Sequence, residues 1–144
     1  MHTILVIDDE VDVRDGIKRV LDRAGFSVQT VDNAIDAMLQ LARAPVDVVI
    51  TDIIMPKLNG VDAIETIARE FPAVGIIAIS GGGNFDVTGY QPSSITTTAY
   101  LAAARKVGAH YILTKPFGSQ ELIDAVAQVI AAGPHGAEAQ EKSA

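Results

Sequence analysis

Asp8, Asp9, Asp52, Ser80 and Lys115 are far apart in the chain, yet their types could do one chemistry together. Each follows an apolar, β-branched run: residues 3–7 before the acid pair, 47–51 before Asp52, 74–79 before Ser80 and 110–114 before Lys115. Carboxylates that converge on one crevice repel each other, so either their pKa values rise or a cation joins them. With oxygen donors only and no cysteine in the chain, a hard ion is implied, most simply Mg²⁺. Mg²⁺ takes one or two carboxylates directly and completes its octahedron with water and a phosphate oxygen. Asp52 would then turn its second oxygen outward. A phosphoryl group arriving there would find the cation on one oxygen, Lys115 on another and the Ser80 hydroxyl on a third. Phosphoryl transfer needs little beyond such positioning and charge neutralisation. The glycines at 81–83 would let backbone N–H groups approach the same oxygens.

The elements that must position these groups can be read from periodicity. Residues 3–7 predict a buried strand. From Val11 the period turns helical, with Val13, Ile17, Val20 and Leu21 on one face and Gly25 as the stop. A second, more polar strand over 27–31 reads as an edge. Asn33 can cap a helix carrying Ala34, Met38, Leu41 and Ala42, ending before Pro45. The strand at 47–51 is apolar on both faces, as a central parallel strand should be. A turn from Pro56 to Gly60 leads into a third helix, stopped by Pro72. After the strand at 74–79 a Gly-, Ser- and Thr-rich stretch runs to about Thr98. Helical pattern resumes from Ala99 to Val107, Gly108 stops it, and residues 110–114 form a fifth strand. A last helix, capped by Gly118 or Ser119, carries Leu122, Ile123, Val126, Val129 and Ile130. Strands alternating with helices imply a doubly wound α/β fold, a flavodoxin-like (βα)5 parallel sheet of order 2-1-3-4-5. In such sheets ligands bind at the carboxyl ends of the strands, where the five polar groups fall.

Composition narrows the classes. A chain of 144 residues, about half of them apolar, suits one domain with a real core. The reading is a domain over 1–131 with an inserted loop at about 81–98, then a disordered tail at 132–144. Net charge of −7 argues against direct nucleic-acid binding. No apolar stretch could span a bilayer, the start has no signal-peptide pattern, and cysteine is absent. A cytoplasmic protein with no membrane partner is expected.

At these residues the chain resembles the receiver domain of two-component response regulators. The carrying motifs are Asp8-Asp9, the run Asp52-Ile53-Ile54-Met55-Pro56 with Gly60 behind it, Ser80 followed by Gly81, and Lys115-Pro116-Phe117. The resemblance implies that Asp52 accepts a phosphoryl group from a sensor histidine kinase or a histidine phosphotransfer protein. It implies that Asp9, Asp52 and the backbone carbonyl of Ile54 bind Mg²⁺ directly, with Asp8 acting through water. Lys115 would pair with the phosphoryl group, Ser80 would report it, and the Lys115–Pro116 bond would be cis. Such a protein is not an enzyme beyond catalysing its own phosphorylation and dephosphorylation. With no output domain expected on the chain, it would signal to a downstream protein by contact or pass the group on, as a monomer or weak homodimer.

Two features depart from the family pattern. The position three before the lysine, usually aromatic, is Ile112, and strand alternation turns the neighbouring Tyr111 to the opposite face. The stretch from Ser80 to Lys115 is also longer than usual, by roughly a dozen residues. Blander readings exist for each residue alone: the acid pair as a helix cap, Lys115 as a solvated lysine, Ser80 as a turn residue, Pro116 as a helix starter. Rival functions are weaker. A haloacid-dehalogenase-like phosphohydrolase would want a second acid where Ile54 stands. A flavin or nucleotide module would find its first loop occupied by Asp8, Asp9 and Glu10. A non-phosphorylated scaffold would not need all of these groups.

Overall fold

A computed structural model describes residues 2–53, 60–80, 102, 105–106 and 108–133. The strands are β1 (Thr3–Ile7), β2 (Ser27–Val31), β3 (Val48–Asp52), β4 (Gly75–Ser80) and β5 (Tyr111–Thr114). The helices described along their length are α1 (Val11–Arg23), α2 (Ala34–Arg43), α3 (Gly60–Glu70) and α4 (Ser119–Ala132), and residues 102, 105 and 106 are helical as well. All neighbouring strands pair in parallel, in the order β2-β1-β3-β4-β5. β3 is buried at every residue, whereas β2 has one buried residue and lies at an edge.

Strand alternation splits the core into two layers. Ile4 and Val6 of β1, Val48 and Ile50 of β3, Ile77 and Ile79 of β4, and Leu113 of β5 pack with α1 and α4. Leu5, Ile7, Val49, Ile76 and Ala78 pack on the other side with α2 and α3. Tyr111 lies against the first layer and Ile112 against the second, so the two are on opposite faces.

Local chemistry explains where the helices stop. After α1, Gly25 takes φ +98 and its N–H donates to the Asp22 carbonyl, while the Phe26 N–H reaches back to Leu21. This closes the last turn and folds Phe26 onto the first core layer. α2 begins where the Asn33 side chain accepts the Asp36 N–H at 2.8 Å. Asn33→Ala is expected to lower stability by about 1 kcal/mol, read from the urea midpoint at unchanged m. α4 starts at the extended Gly118 without a side-chain cap, so Ser119 is its first residue rather than its cap.

β1 and β2 have their expected bounds, and the other three strands begin or end one residue from theirs. β3 includes Asp52, β4 includes Ser80, and Asp47 and His110 fall just outside their strands. Asp47 instead accepts the Thr3 N–H through its carboxylate at 2.8 Å. The expected loop at 81–98, the turn from Pro56, the tail beyond Gly133 and most of the expected helix over 99–107 lie outside the described residues.

Candidate functional site

Asp8, Asp52 and Lys115 continue one alternation. Asp8 is two residues after Val6, Asp52 two after Ile50 and Lys115 two after Leu113, all on the α1–α4 side of the sheet. The register of neighbouring strands brings their carboxyl ends level, with Ile7 opposite Thr51 and Asp52 opposite Ile79. Asp52 is 2% exposed, and its Oδ2 is 3.6 Å from Lys115 Nζ. The same ammonium is 4.0 Å from Glu10 Oε1. The Lys115–Pro116 bond is cis.

Asp8 is 1% exposed. Its Oδ1 accepts the Glu10 N–H at 2.9 Å, and its backbone carbonyl accepts a hydrogen bond from Arg14 Nη1 at 2.8 Å. Its Oδ2 is buried and has no hydrogen-bond partner among the described residues. Burial pushes the Asp8 carboxyl up to about 6; the Glu10 N–H opposes the rise, Asp52 adds to it, Lys115 opposes it and Asp9 adds to it.

One carboxylate oxygen each from Asp8, Glu10 and Asp52 lies within 4.8 Å of the others. Such a donor set, all oxygen and with a buried lone pair left over, fits a hard divalent cation. Asp9 is exposed and is not among the gathered carboxylates; Glu10 is. The reason is local. Asp8 folds the chain into an Asx turn on the Glu10 N–H, and Glu10, with an extended backbone, caps α1 without a side-chain hydrogen bond. Its carboxylate is thereby free to reach back to the pocket. The signal for Glu10 was the third acid in the Asp8-Asp9-Glu10 run. The helix-cap reading of the acid pair fails on the same geometry, because the cap position belongs to Glu10.

The Ile54 carbonyl and Gly81 lie outside the described residues, and Ser80 is placed by its backbone at the end of β4. Beside Lys115 a groove of about 420 Å³ opens between α1 and the segment leading into α4, walled by Val13, Val20, Phe117 and Leu122.

The family description "Response regulator receiver domain" matches residues 4–127. This chain belongs to the response regulator receiver family. The receiver is 34% identical over 130 residues to the hydrogenase transcriptional regulatory protein HoxA of Cupriavidus necator, covering 90% of this chain and 24% of that protein. It is 30% identical over 124 residues to the nitrogen assimilation regulatory protein NtrX of Azorhizobium caulinodans, covering 85% and 24%. The chain thus spans about a quarter of the length of these curated relatives. Among solved structures, a response regulator receiver domain protein from Clostridium thermocellum superposes with a TM-score of 0.74 at 33% identity, covering 91% of this chain and 95% of that one. The receiver domain of NtrX from Brucella abortus superposes with a TM-score of 0.76 at 28% identity, covering 90% and 99%. Receivers are signalling modules, and among the described residues no helix is long and apolar enough to cross a membrane.

Proposed function

We propose that Asp52 is the phospho-acceptor of this receiver and that a sensor histidine kinase or a histidine phosphotransfer protein is the donor. The observation that carries the reading is the buried Asp52 carboxylate, 3.6 Å from a lysine ammonium and beside an unpartnered Asp8 oxygen. In the transfer the P–N bond of the donor phosphohistidine breaks as a P–O bond forms to an Asp52 oxygen. Lys115 neutralises charge on the phosphoryl oxygens, and the Ser80 hydroxyl would bond another of them. Gly81 would offer a backbone N–H. Lys115 is 18% exposed, so its pairing with Asp52 is little screened by solvent.

The acidic pocket would hold Mg²⁺ through Asp8 and Asp52, with Glu10 as a third carboxylate, Asp9 on the exposed rim of the same turn, and the Ile54 carbonyl. When bound, Mg²⁺ would polarise the phosphoryl group and offset the like charges of the carboxylates. The groove between α1 and the start of α4 opens beside Lys115 and supports contact with a protein donor. Apart from its own phosphorylation and dephosphorylation, the receiver would turn nothing over, and its output would pass by protein contact or onward phosphotransfer in the cytoplasm.

Acetyl phosphate with Mg²⁺ tests this reading. Intact mass should rise by one phosphoryl group in the parent protein and stay unchanged in Asp52→Asn. Equal labelling of both proteins would assign the acceptor elsewhere. Turnover of small phosphate esters in excess of protein would favour a phosphohydrolase instead.

A further inference from the structure

Among the described residues, Val11, Ile35 and Leu39 are the large apolar side chains that stand mainly exposed. Two of these share one face of α2, four residues apart, at 72% and 60% exposure. Exposed Ala42 extends the same stripe, while the buried face of the helix is made by Ala34, Ala37 and Leu41. Single exposed apolar residues are ordinary; a stripe along a helix is a candidate contact face. The charges around it run from acid to base. Asp36 lies in the first turn, and Arg43 in the last, and both are exposed. Arg43 makes no ion pair among the described residues. Beside Ile35 a hollow of about 110 Å³ opens between α2 and α3, walled by Ala34, Met38 and Ala63 and rimmed by Asp62.

We propose that the exposed face of α2 is a self-association surface whose occupant is α2 of a second copy of this chain, packed antiparallel across a two-fold axis near Leu39. An isologous contact must be self-complementary, and this pattern is. With Leu39 on the axis, Ile35 of each copy lies opposite Arg43 of the other. The aliphatic stem of that arginine can lie along Ile35 and the hollow, and its guanidinium then meets Asp36 and Asp62. The antiparallel helices also set opposite dipole ends side by side. A helix of ten residues is only about 15 Å long, so the contact area falls short of a standard interface and the dimer is a weak one.

Sedimentation equilibrium of the full chain over a range of concentrations tests the proposal. The parent should self-associate at the highest concentrations, and Leu39→Lys should remain monomeric with unchanged circular dichroism. Asp36→Arg and Arg43→Asp should each weaken association about five- to tenfold, since each disrupts both symmetry-related pairs. The double variant, with the two charges exchanged, should recover association in part, since Asp62 keeps its charge. A parent that stays monomeric throughout overturns the proposal. So does a dimer that survives Leu39→Lys, or a double variant no better than the singles.

Discussion

Asp8→Asn is expected to raise the melting temperature of the metal-free receiver at neutral pH by roughly 10 °C, while lowering its Mg²⁺ affinity about 10–100-fold. Both effects come from one oxygen. Asp8 Oδ2 is buried with no hydrogen-bond partner among the described residues, and the carboxyl is raised from 3.8 to about 6. A raised carboxyl means that the folded protein holds its proton more tightly than the unfolded chain. The stability tied to that proton is complete below about pH 4 and is lost as the pH climbs to about 6. Above that, the ionised side chain costs the metal-free fold about 3 kcal/mol, an order-of-magnitude figure. Asparagine keeps the acceptor for the Glu10 N–H and removes the buried charge beside Asp52. The melting advantage of the variant should therefore disappear toward pH 4. Saturating Mg²⁺ should narrow the gap, because a ligand bound at 100 times its Kd stabilises the parent by about 2.7 kcal/mol and the weaker-binding variant by less. Thermal melts of both proteins from pH 4 to 8, with and without Mg²⁺, give the comparison. A metal-free asparagine variant that melts below the parent at neutral pH would mean that the Asp8 charge is satisfied within the fold.

Gly108→Ala is expected to destabilise the receiver by about 3 kcal/mol, lowering its melting temperature by roughly 10 °C. Two independent causes add. The backbone at Gly108 has φ +141, a region that side chains rarely adopt. An added Cβ would also lie 2.6 Å from the Cβ of Ala68 on α3. The chain can approach α3 this closely only without a side chain, and that approach leads into β5. Two residues later the His110 N–H donates to the Ile76 carbonyl, and His110 Nδ1 accepts the Ile76 N–H at 3.0 Å. Gly25 separates the two causes. It has φ +98 but nothing within 4 Å of its Cβ position, so Gly25→Ala should cost about 1–2 kcal/mol, the conformational part alone. In the Gly108→Ala background, Ala68→Gly should recover part of the loss by removing the steric contact. Equal melting temperatures for Gly108→Ala and Gly25→Ala would show that the approach to Ala68 relaxes freely.

Much of the receiver was legible in the chain because its signals are local. The apolar run at β3 marks a strand buried on both faces, and the switch to helical period at Val11 marks α1. Gly25, Asn33 and Pro45 punctuate the helices for backbone reasons that do not depend on the rest of the fold. Strand-end placement likewise brought Asp8, Asp52 and Lys115 into one crevice, since a parallel sheet aligns the ends of its strands. The rest depended on groups distant in sequence. Alternation along β1 does not reveal that Asp8 would be left with an unpartnered oxygen, because that depends on what β3 and β5 carry beside it. Nor does it distinguish Glu10 from Asp9, because an Asx turn and the start of α1 decide which carboxylate reaches back. Gly108 reads as a helix stop, yet its contact with Ala68 exists only once α3 and β5 are packed. Element type and order follow from near-neighbour chemistry, whereas the protonation of a buried carboxylate and the choice among adjacent acids follow from packing between segments dozens of residues apart.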